Sequence, residues 1–364
     1  MVGSRLTAPH IRFYISDYGF GHASRSIALV RALHASMNCT ITVRTDTSAE
    51  FIRNSCPFVS VEKKRNDIGT VMHDCTARVD RAETEKSLHH WLSSWETWIA
   101  EETAFCKECS VDLILSDITP QAFLVSKTLG IPGIGVSNFT WDLIFRQLYG
   151  NSPEVQMVHD AYSSADLGLV LPLNESLDVF KERAFVPLVS RKTTISREEM
   201  RKLAGISETE ILVYVGSGLS FDSVPACLHK LIDAGLRVLV SENQPFHHPK
   251  ILRIPSSETE TQSFIGMCDL VVTKPGYSTV SESIRAKIPL LIFKREGFAE
   301  DAYIIHPLET AGIGKQMSWE AIESGDWITH IDELLSMKEN YRTCSDIFIK
   351  DGTQACIEHI RSYL

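Results

Sequence analysis

The sequence predicts an α/β protein made of two Rossmann-like, doubly wound domains that face each other across a cleft. Strand-like apolar runs alternate with helix-like runs along most of the chain, which is typical of parallel sheets covered by helices on both faces. The alternation occurs twice, over about 10–172 and again over about 210–320. In each series a glycine-containing turn joins a strand to a helix, and such turns often bind anions or nucleotides.

The individual elements follow from the spacing of the apolar residues. Short apolar runs bounded by polar residues or glycine predict buried strands at 11–16, 40–45, 112–116, 132–137, 167–171, 211–216, 236–241, 269–273 and 288–293. Longer amphipathic stretches predict helices at 24–35, 85–108, 120–129, 223–234, 279–287, 301–311 and 352–364. Trp91, Trp95 and Trp98 share one face of the second of these helices, which favours core packing.

The chain length and one charged segment predict where the domains divide. At 364 residues the chain suits two domains better than one. Residues 174–208 are more charged and contain no run suited to a central strand, so we expect a boundary near Ser190. This gives an N-terminal domain of 1–190 and a C-terminal domain of 191–364, whose last helix could pack back on the first domain. Ligands are expected where the carboxyl ends of the strands meet the cleft.

Composition excludes several classes of protein. The formal net charge is -10 and the pI is about 5.7, which argues against a nucleic-acid partner. No transmembrane run or signal-peptide core is evident, so we expect a cytoplasmic protein, although peripheral membrane contact stays open. Nine cysteines fit reduced core residues. The one CxxC, Cys106 and Cys109, lacks a second ligand pair, so no metal site is predicted.

The stretch DYGFGHASR, residues 17–25, is the first candidate site. Gly19, Gly21 and Ser24 fit a dinucleotide-binding turn, with Asp46 placed as a ribose-binding acid, but the third glycine is missing. His22 is poorly explained by that alternative, because a dinucleotide loop needs no side-chain base. A sugar-nucleotide transferase loop and a turn without a ligand are the other two interpretations.

The stretch KPGYSTVSE, residues 274–282, is the second candidate site. Gly276 permits close approach of a ligand to the backbone. The N–H groups of Ser278, Thr279 and Val280 would then lie at a helix N-terminus, where a diphosphate is favoured. Glu282 has a structural alternative, because Thr279 and Glu282 have the spacing of a capping box.

An acidic pair at the start of a later helix is the third candidate. Glu300 and Asp301 could bind sugar hydroxyls, or they could simply be stabilised there by the positive end of the helix dipole.

Taken together, these motifs resemble the GT-B glycosyltransferases. The resemblance is strongest to the transferase-like half of L-arabinokinases and more distant to the lipid-intermediate N-acetylglucosaminyltransferases of peptidoglycan synthesis. It is carried by DYGFGHASRSIALVRAL, LILSDITP, VSNFTWDLIF, FVPLVSRKTTISREEMRKLAGI and KPGYSTVSESIRAKIPLLIFKREGFAED, in order through both domains. It implies a GT-B fold, a nucleotide-sugar donor and no obligatory cofactor or metal.

The resemblance implies that the C-terminal domain binds the donor. Phe264 and Ile265 would contact the base, Glu282 the ribose and Gly276–Val280 the diphosphate. Arg191 would lie near the phosphates, and Glu300 and Asp301 would face the sugar. The positions expected to complete the donor site are the glycine loops at Gly21 and at Gly216, Ser217 and Gly218.

The resemblance implies that the N-terminal domain binds the acceptor. His22 occupies the position of a candidate general base, and Asp117 is the candidate that orients it, although Asp117 could equally be an N-cap. Asn138 and Trp141 would line the acceptor pocket. Asp17 departs from the family, whose members usually have glycine there, and a carboxylate facing the acceptor would repel a phosphate.

The expected function is therefore transfer of a sugar from a nucleotide sugar, in the first place a UDP-sugar, to a small or lipid-linked acceptor. A nonhydrolysing UDP-sugar 2-epimerase shares this architecture and is the first alternative. A non-catalytic nucleotide-sugar-binding scaffold is the second.

Overall fold

The computed structural model describes residues 8–72, 79–174, 177–216, 227–295 and 297–364. These residues form two compact units. The first contains the described residues up to Val71, from Asp80 to Val189, and from Lys350 to Leu364. The second contains Met72, Val79 and the described residues from Ser190 to Ile349.

The elements are numbered in chain order. The strands are β1 His10–Ile15, β2 Thr40–Thr45, β3 Ser60–Lys63, β4 Leu113–Asp117, β5 Gly133–Ser137, β6 Leu167–Val170, β7 Arg183–Phe185, β8 Leu212–Gly216, β9 Arg237–Ser241, β10 Ile251–Ile254, β11 Leu270–Thr273, β12 Leu290–Phe293 and β13 Gly314–Met317. The helices are α1 Phe20–Ser36, α2 Ala49–Ser55, α3 Arg81–Ser93, α4 Trp95–Glu108, α5 Gln121–Leu129, α6 Trp141–Tyr149, α7 Pro153–Tyr162, α8 Arg197–Leu203, α9 Cys227–Asp233, α10 Thr261–Gly266, α11 Tyr277–Arg285, α12 Glu300–Thr310, α13 Trp319–Ser324, α14 Ile331–Ser336, α15 Asp346–Ile349 and α16 Gly352–Arg361.

The first unit is built on a seven-stranded parallel sheet of order β3-β2-β1-β4-β5-β6-β7. Its central strands are buried along their whole length, as the continuous apolar runs predict. The strand order reverses between β1 and β4, where Ile15 lies beside Asp117. Ligands of open parallel sheets bind at such a switch point, outside the carboxyl ends of the strands.

The second unit repeats this plan with a six-stranded parallel sheet of order β10-β9-β8-β11-β12-β13. Its switch point lies between β8 and β11, where Gly216 is paired with Thr273. One face of the sheet packs on α9, α13 and α14 through apolar side chains that include Leu228, Ile322 and Leu334. The two parallel sheets confirm the predicted α/β class.

Two details differ from the sequence-based expectations. The helix expected over 85–108 is two helices that meet at Ser94, whose hydroxyl donates to the Trp91 carbonyl oxygen at 2.7 Å and competes with the helical pattern. The strands β3, β7, β10 and β13 were not expected, because each is only three or four residues long and partly exposed. Among the described residues, no helix is long and apolar enough to cross a membrane.

Candidate functional site

The first unit brings His22 and Asp117 into direct contact. Gly19 ends the loop after β1 with φ +84, a conformation that favours glycine, and α1 begins at the next residue. His22 therefore lies in the first turn of α1, at the switch point. Because β4 is the neighbour of β1, its last residue, Asp117, lies beside this turn. The Nδ1 atom of His22 is 2.8 Å from Oδ1 of Asp117.

The Asp117 carboxylate is fully buried and accepts several hydrogen bonds. Arg25 donates to it through Nε at 2.7 Å and through Nη2 at 2.5 Å, and the Ser26 hydroxyl donates at 2.9 Å. Burial alone would raise the pKa of Asp117, but Arg25 and His22 outweigh burial and hold that pKa well below its usual range. A permanently ionised carboxylate on Nδ1 is the arrangement that leaves Nε2 of an imidazole available to accept a proton.

The switch point of the second unit gathers the other predicted residues. Gly216 ends β8, and a Cβ there would come within 2.4 Å of the Tyr214 ring, so only glycine fits without movement. The predicted continuation of this loop, Ser217 and Gly218, lies outside the described residues. Gly276 is the N-cap of α11, whose first turn contains Ser278 and Thr279. The N–H groups of a first turn point away from the helix body, at the positive end of its dipole.

Two expectations about α11 need correction. The N–H of Val280 donates to the Gly276 carbonyl at 3.1 Å and its side chain is fully buried, so Val280 is used by the helix rather than offered to a phosphate. Thr279 lies inside the helix rather than at its cap, which removes the Thr279–Glu282 capping box as an explanation of Glu282.

Glu282 instead forms a buried ion pair with Arg191. Arg191 Nε donates to Glu282 Oε1 at 2.8 Å, and Nη2 donates to the Thr261 hydroxyl at 2.8 Å. Nη1 donates to the Thr259 carbonyl. Both charged side chains are almost completely buried. Arg191 is thus engaged with Glu282 and with the segment before α10, which places it as a support for Glu282 rather than as a direct phosphate ligand.

The acidic pair at the start of α12 is also engaged by an arginine. Arg295 donates to Asp301 through its backbone N–H at 2.6 Å and through its guanidinium at 2.5 Å, and its Nη2 lies 3.5 Å from Glu300. Asp301 is fully buried, so its expected contact with a sugar hydroxyl is not supported by its position. Glu300, of which 6% is exposed, is the member of the pair nearer the surface.

The expected base-binding residues lie on α10, which packs against α11. Ile265 is buried in the core, whereas Phe264 is only half-buried and is the better placed of the two to contact a ligand.

Comparisons with known proteins identify the family. The profile of the family described as glycosyl transferase family 1 matches residues 10–334. The chain belongs to glycosyl transferase family 1. A curated relative, L-arabinokinase of Arabidopsis thaliana, is 27% identical over 351 residues, which is 93% of this chain. The chain spans only 33% of that protein's length.

Solved structures of glycosyltransferases share the GT-B fold of this family 1 chain. CalG4, the calicheamicin glycosyltransferase, superposes with a TM-score of 0.70 at 16% identity and covers 99% of both chains. Phytolacca americana UGT2, complexed with UDP-2fluoro-glucose and pterostilbene, superposes with a TM-score of 0.68 at 15% identity and covers 98% of this chain and 99% of its own. VinC, in complex with DTDP, superposes with a TM-score of 0.66 at 13% identity and covers 97% of this chain and 99% of its own.

Asp17, the departure from the family pattern, has a structural role. Its Oδ1 accepts from the N–H groups of Asp46 and Thr47 at 2.7 and 3.0 Å, and its Oδ2 accepts from the N–H of Asn66 at 2.6 Å. The carboxylate is buried and ties the loop before His22 to the ends of β2 and β3. The expectation that it repels a phosphate-bearing acceptor is therefore not supported.

Replacing Asp17 with alanine should lower the free energy of unfolding by about 2–4 kcal/mol, because several backbone donors lose a charged acceptor. Asp17→Asn, which keeps one acceptor oxygen, should lose clearly less. Chemical denaturation of both variants measures the difference. Equal stability of Asp17→Ala and the wild type would show that the loop is held by other contacts.

Asp67 is a second buried carboxyl in this region. Its Oδ1 accepts from the Asp17 N–H at 2.8 Å and its Oδ2 from Nε1 of Trp141 at 3.0 Å. Burial, followed by the neighbouring Asp17, raises the pKa of Asp67 to about 8.

Trp141 is itself fully buried, as is Asn138, whose side-chain oxygen accepts a hydrogen bond from Arg25. Both residues support the site rather than line an acceptor pocket as expected.

The raised pKa of Asp67 predicts a pH dependence of stability. The folded protein holds this proton more tightly than the unfolded chain, so stability is lost as the pH rises from about 4 through about 8. Asp67→Asn, which removes the titration, should show a flatter profile in denaturation measured between roughly pH 5 and pH 8. Identical slopes for the variant and the wild type would contradict the assignment of this pH dependence to Asp67.

Several residues of the two switch points were not predicted as site residues. Arg25 follows His22 by one helical turn, a spacing that could have signalled their contact. Lys274 directly follows β11. Its pKa is lowered to about 8, mainly by burial and next by the positive charge of Arg295. Arg295 and Asp67 gave no local signal in the sequence, because their partners are set by the fold.

In the described part of the chain no cluster of three or more His, Cys, Asp or Glu side chains could hold a metal ion.

Proposed function

We propose that this protein transfers a sugar from a nucleotide sugar, in the first place a UDP-sugar, to a hydroxyl group of a small or lipid-linked acceptor. The observation that carries the proposal is the 2.8 Å contact between His22 Nδ1 and the buried Asp117 carboxylate at the switch point of the first unit. The contact gives the chain a base that can take a hydroxyl proton through Nε2.

The donor is assigned to the second unit. The relatives support this class of donor, since Phytolacca americana UGT2 was solved with UDP-2fluoro-glucose and VinC with DTDP. In this chain the first turn of α11 would bind the diphosphate, with Gly276 allowing its approach and Lys274 adding positive charge beside it. Glu282, held by Arg191, would bind the ribose hydroxyls.

The reaction would be a direct displacement at the anomeric carbon. The acceptor's O–H proton passes to His22 Nε2 while its oxygen bonds to the anomeric carbon. The bond from that carbon to the diphosphate oxygen breaks, and its electron pair leaves with the nucleoside diphosphate. The positive end of α11 and Lys274 would stabilise the charge that develops on the leaving group, so the mechanism needs no metal ion.

Release of nucleoside diphosphate tests the function. The purified protein is incubated with a set of UDP-sugars, with and without a panel of phenolic, sugar and lipid-linked hydroxyl acceptors, and released UDP is quantified. Acceptor-dependent release is the expected result. Release without any acceptor, together with isomerised sugar, would favour the 2-epimerase alternative. Tight donor binding with no release under any condition would favour the scaffold.

A further inference from the structure

Two charged groups meet at one nitrogen atom of His22. Nδ1 lies 2.8 Å from Oδ1 of Asp117 and 2.9 Å from Nη2 of Arg25, and the same Nη2 lies 2.5 Å from the same Oδ1. In a neutral imidazole Nδ1 either carries a proton and donates, or carries a lone pair and accepts. It cannot satisfy both neighbours, because one of them is an acceptor and the other a donor.

The charges on the two neighbours are fixed. The guanidinium of Arg25 is protonated at every accessible pH, and its own hydrogen bonds help to keep Asp117 ionised. All three side chains are nearly or fully buried, so water cannot relieve the conflict. With the proton on Nδ1, the imidazole faces the carboxylate favourably and the guanidinium unfavourably. With the proton on Nε2 the two contacts are reversed.

We propose that Arg25 is a positioning residue that opposes Asp117 at Nδ1 and so sets the tautomer of His22. The inference rests on the proposed function, because it concerns the base of that reaction. The groups that face the imidazole are Arg25 from its own helix, Asp117 from the end of β4 and the uncharged ring of Phe139, whose centroid is 5.7 Å away.

The consequence is that the neutral imidazole is divided between two forms. Arg25 favours the form with its proton on Nε2 and its lone pair on Nδ1, 2.9 Å from the guanidinium nitrogen. That form cannot accept a proton from an acceptor hydroxyl, so Arg25 lowers the fraction of His22 that is ready to act as the base.

Nitrogen-15 NMR of histidine-labelled protein tests this without any substrate. The chain has 13 histidines, so the His22 signals are assigned by their loss in His22→Gln. In the wild type both tautomers should be detected at a pH where the imidazole is neutral. In Arg25→Gln the proton should move to Nδ1, so that the Nε2–H signal is lost or strongly reduced. A wild-type signal that is entirely Nδ1–H, or the same mixture of tautomers in Arg25→Gln, would overturn the proposal.

Two further variants separate the charge of Arg25 from its structural contacts. Arg25→Lys keeps the positive charge, so both tautomers should still be detected. Ser26→Ala removes an uncharged donor from the same carboxylate and should leave the mixture of tautomers unchanged. If Arg25→Gln does not fold, a signal that is entirely Nδ1–H in Arg25→Lys would contradict the proposal, and the wild-type tautomer measurement still decides. Absence of activity would count against the proposed function but not against these NMR results.

Discussion

Replacing His22 with alanine should lower turnover by about 100-fold or more, the usual scale for the loss of a general base. The reason is that the acceptor hydroxyl would lose the imidazole that Asp117 orients through Nδ1. Donor binding should change little, because His22 belongs to the first unit, whereas all the residues assigned to the donor except Gly21 belong to the second. Acceptor-dependent UDP release gives the turnover, and calorimetric titration with UDP gives the affinity.

A matched control for this substitution lies on the same helix. His34→Ala in α1 removes an exposed imidazole that stacks on Phe58. This imidazole takes no part in the hydrogen bonds of Asp117 and Arg25 that form the candidate site. Its turnover should equal that of the wild type. Wild-type turnover in His22→Ala would remove His22 from the mechanism, and a fall of equal size in both variants would indicate a general effect of altering α1.

Replacing Glu282 with alanine should lower the free energy of unfolding by about 3–5 kcal/mol, because the substitution leaves the buried Arg191 charge without its partner. The two side chains are 4% and 1% exposed, so solvent screens their interaction little. Chemical denaturation measures this loss. UDP affinity is measured without denaturant, under conditions in which the variant is folded. It should also fall by about 10- to 100-fold if the carboxylate binds the ribose.

Two controls separate these effects. Glu339→Ala breaks an ion pair with Arg342 that is exposed on the same unit, and it should change stability little. The double variant Arg191→Leu, Glu282→Leu removes both buried charges and should recover much of the stability lost in Glu282→Ala. If the double variant is stable yet still binds UDP weakly, Glu282 contacts the donor. If it binds UDP as well as the wild type, the pair is structural only.

Much of the fold was predictable because the apolar runs report local burial. The central strands of both sheets were expected close to their observed positions, since each is a continuous run of apolar residues covered on both faces. The edge strands β3 and β7 carry charged and half-exposed residues, so their sequence does not distinguish them from loops. Ser94 breaks a helix by a hydroxyl-to-carbonyl bond that the amphipathic pattern does not show.

The candidate site was predictable only in part, for the same physical reason. The family resemblance implied that Asp117 orients His22, and the two side chains are in contact in the structure. The partners of Glu282 and Asp301 are arginines supplied by other segments, and only the folded chain brings them together. The sequence therefore predicted these acidic groups and Arg191 for the donor, but not Arg295 and not the ion pairs that the two arginines form with Glu282 and Asp301.

The measurement that tests the central claim most directly is a thermal-shift panel with UDP, GDP, ADP, dTDP and NAD, followed by the matching UDP-sugars. A ligand present at about 100 times its dissociation constant should add roughly 2.7 kcal/mol of stability, which is readily detected. Selective stabilisation by UDP and UDP-sugars is expected, reduced in Glu282→Ala and retained in His22→Ala. A flat response to every nucleotide would contradict the assignment of a nucleotide-sugar donor to this protein.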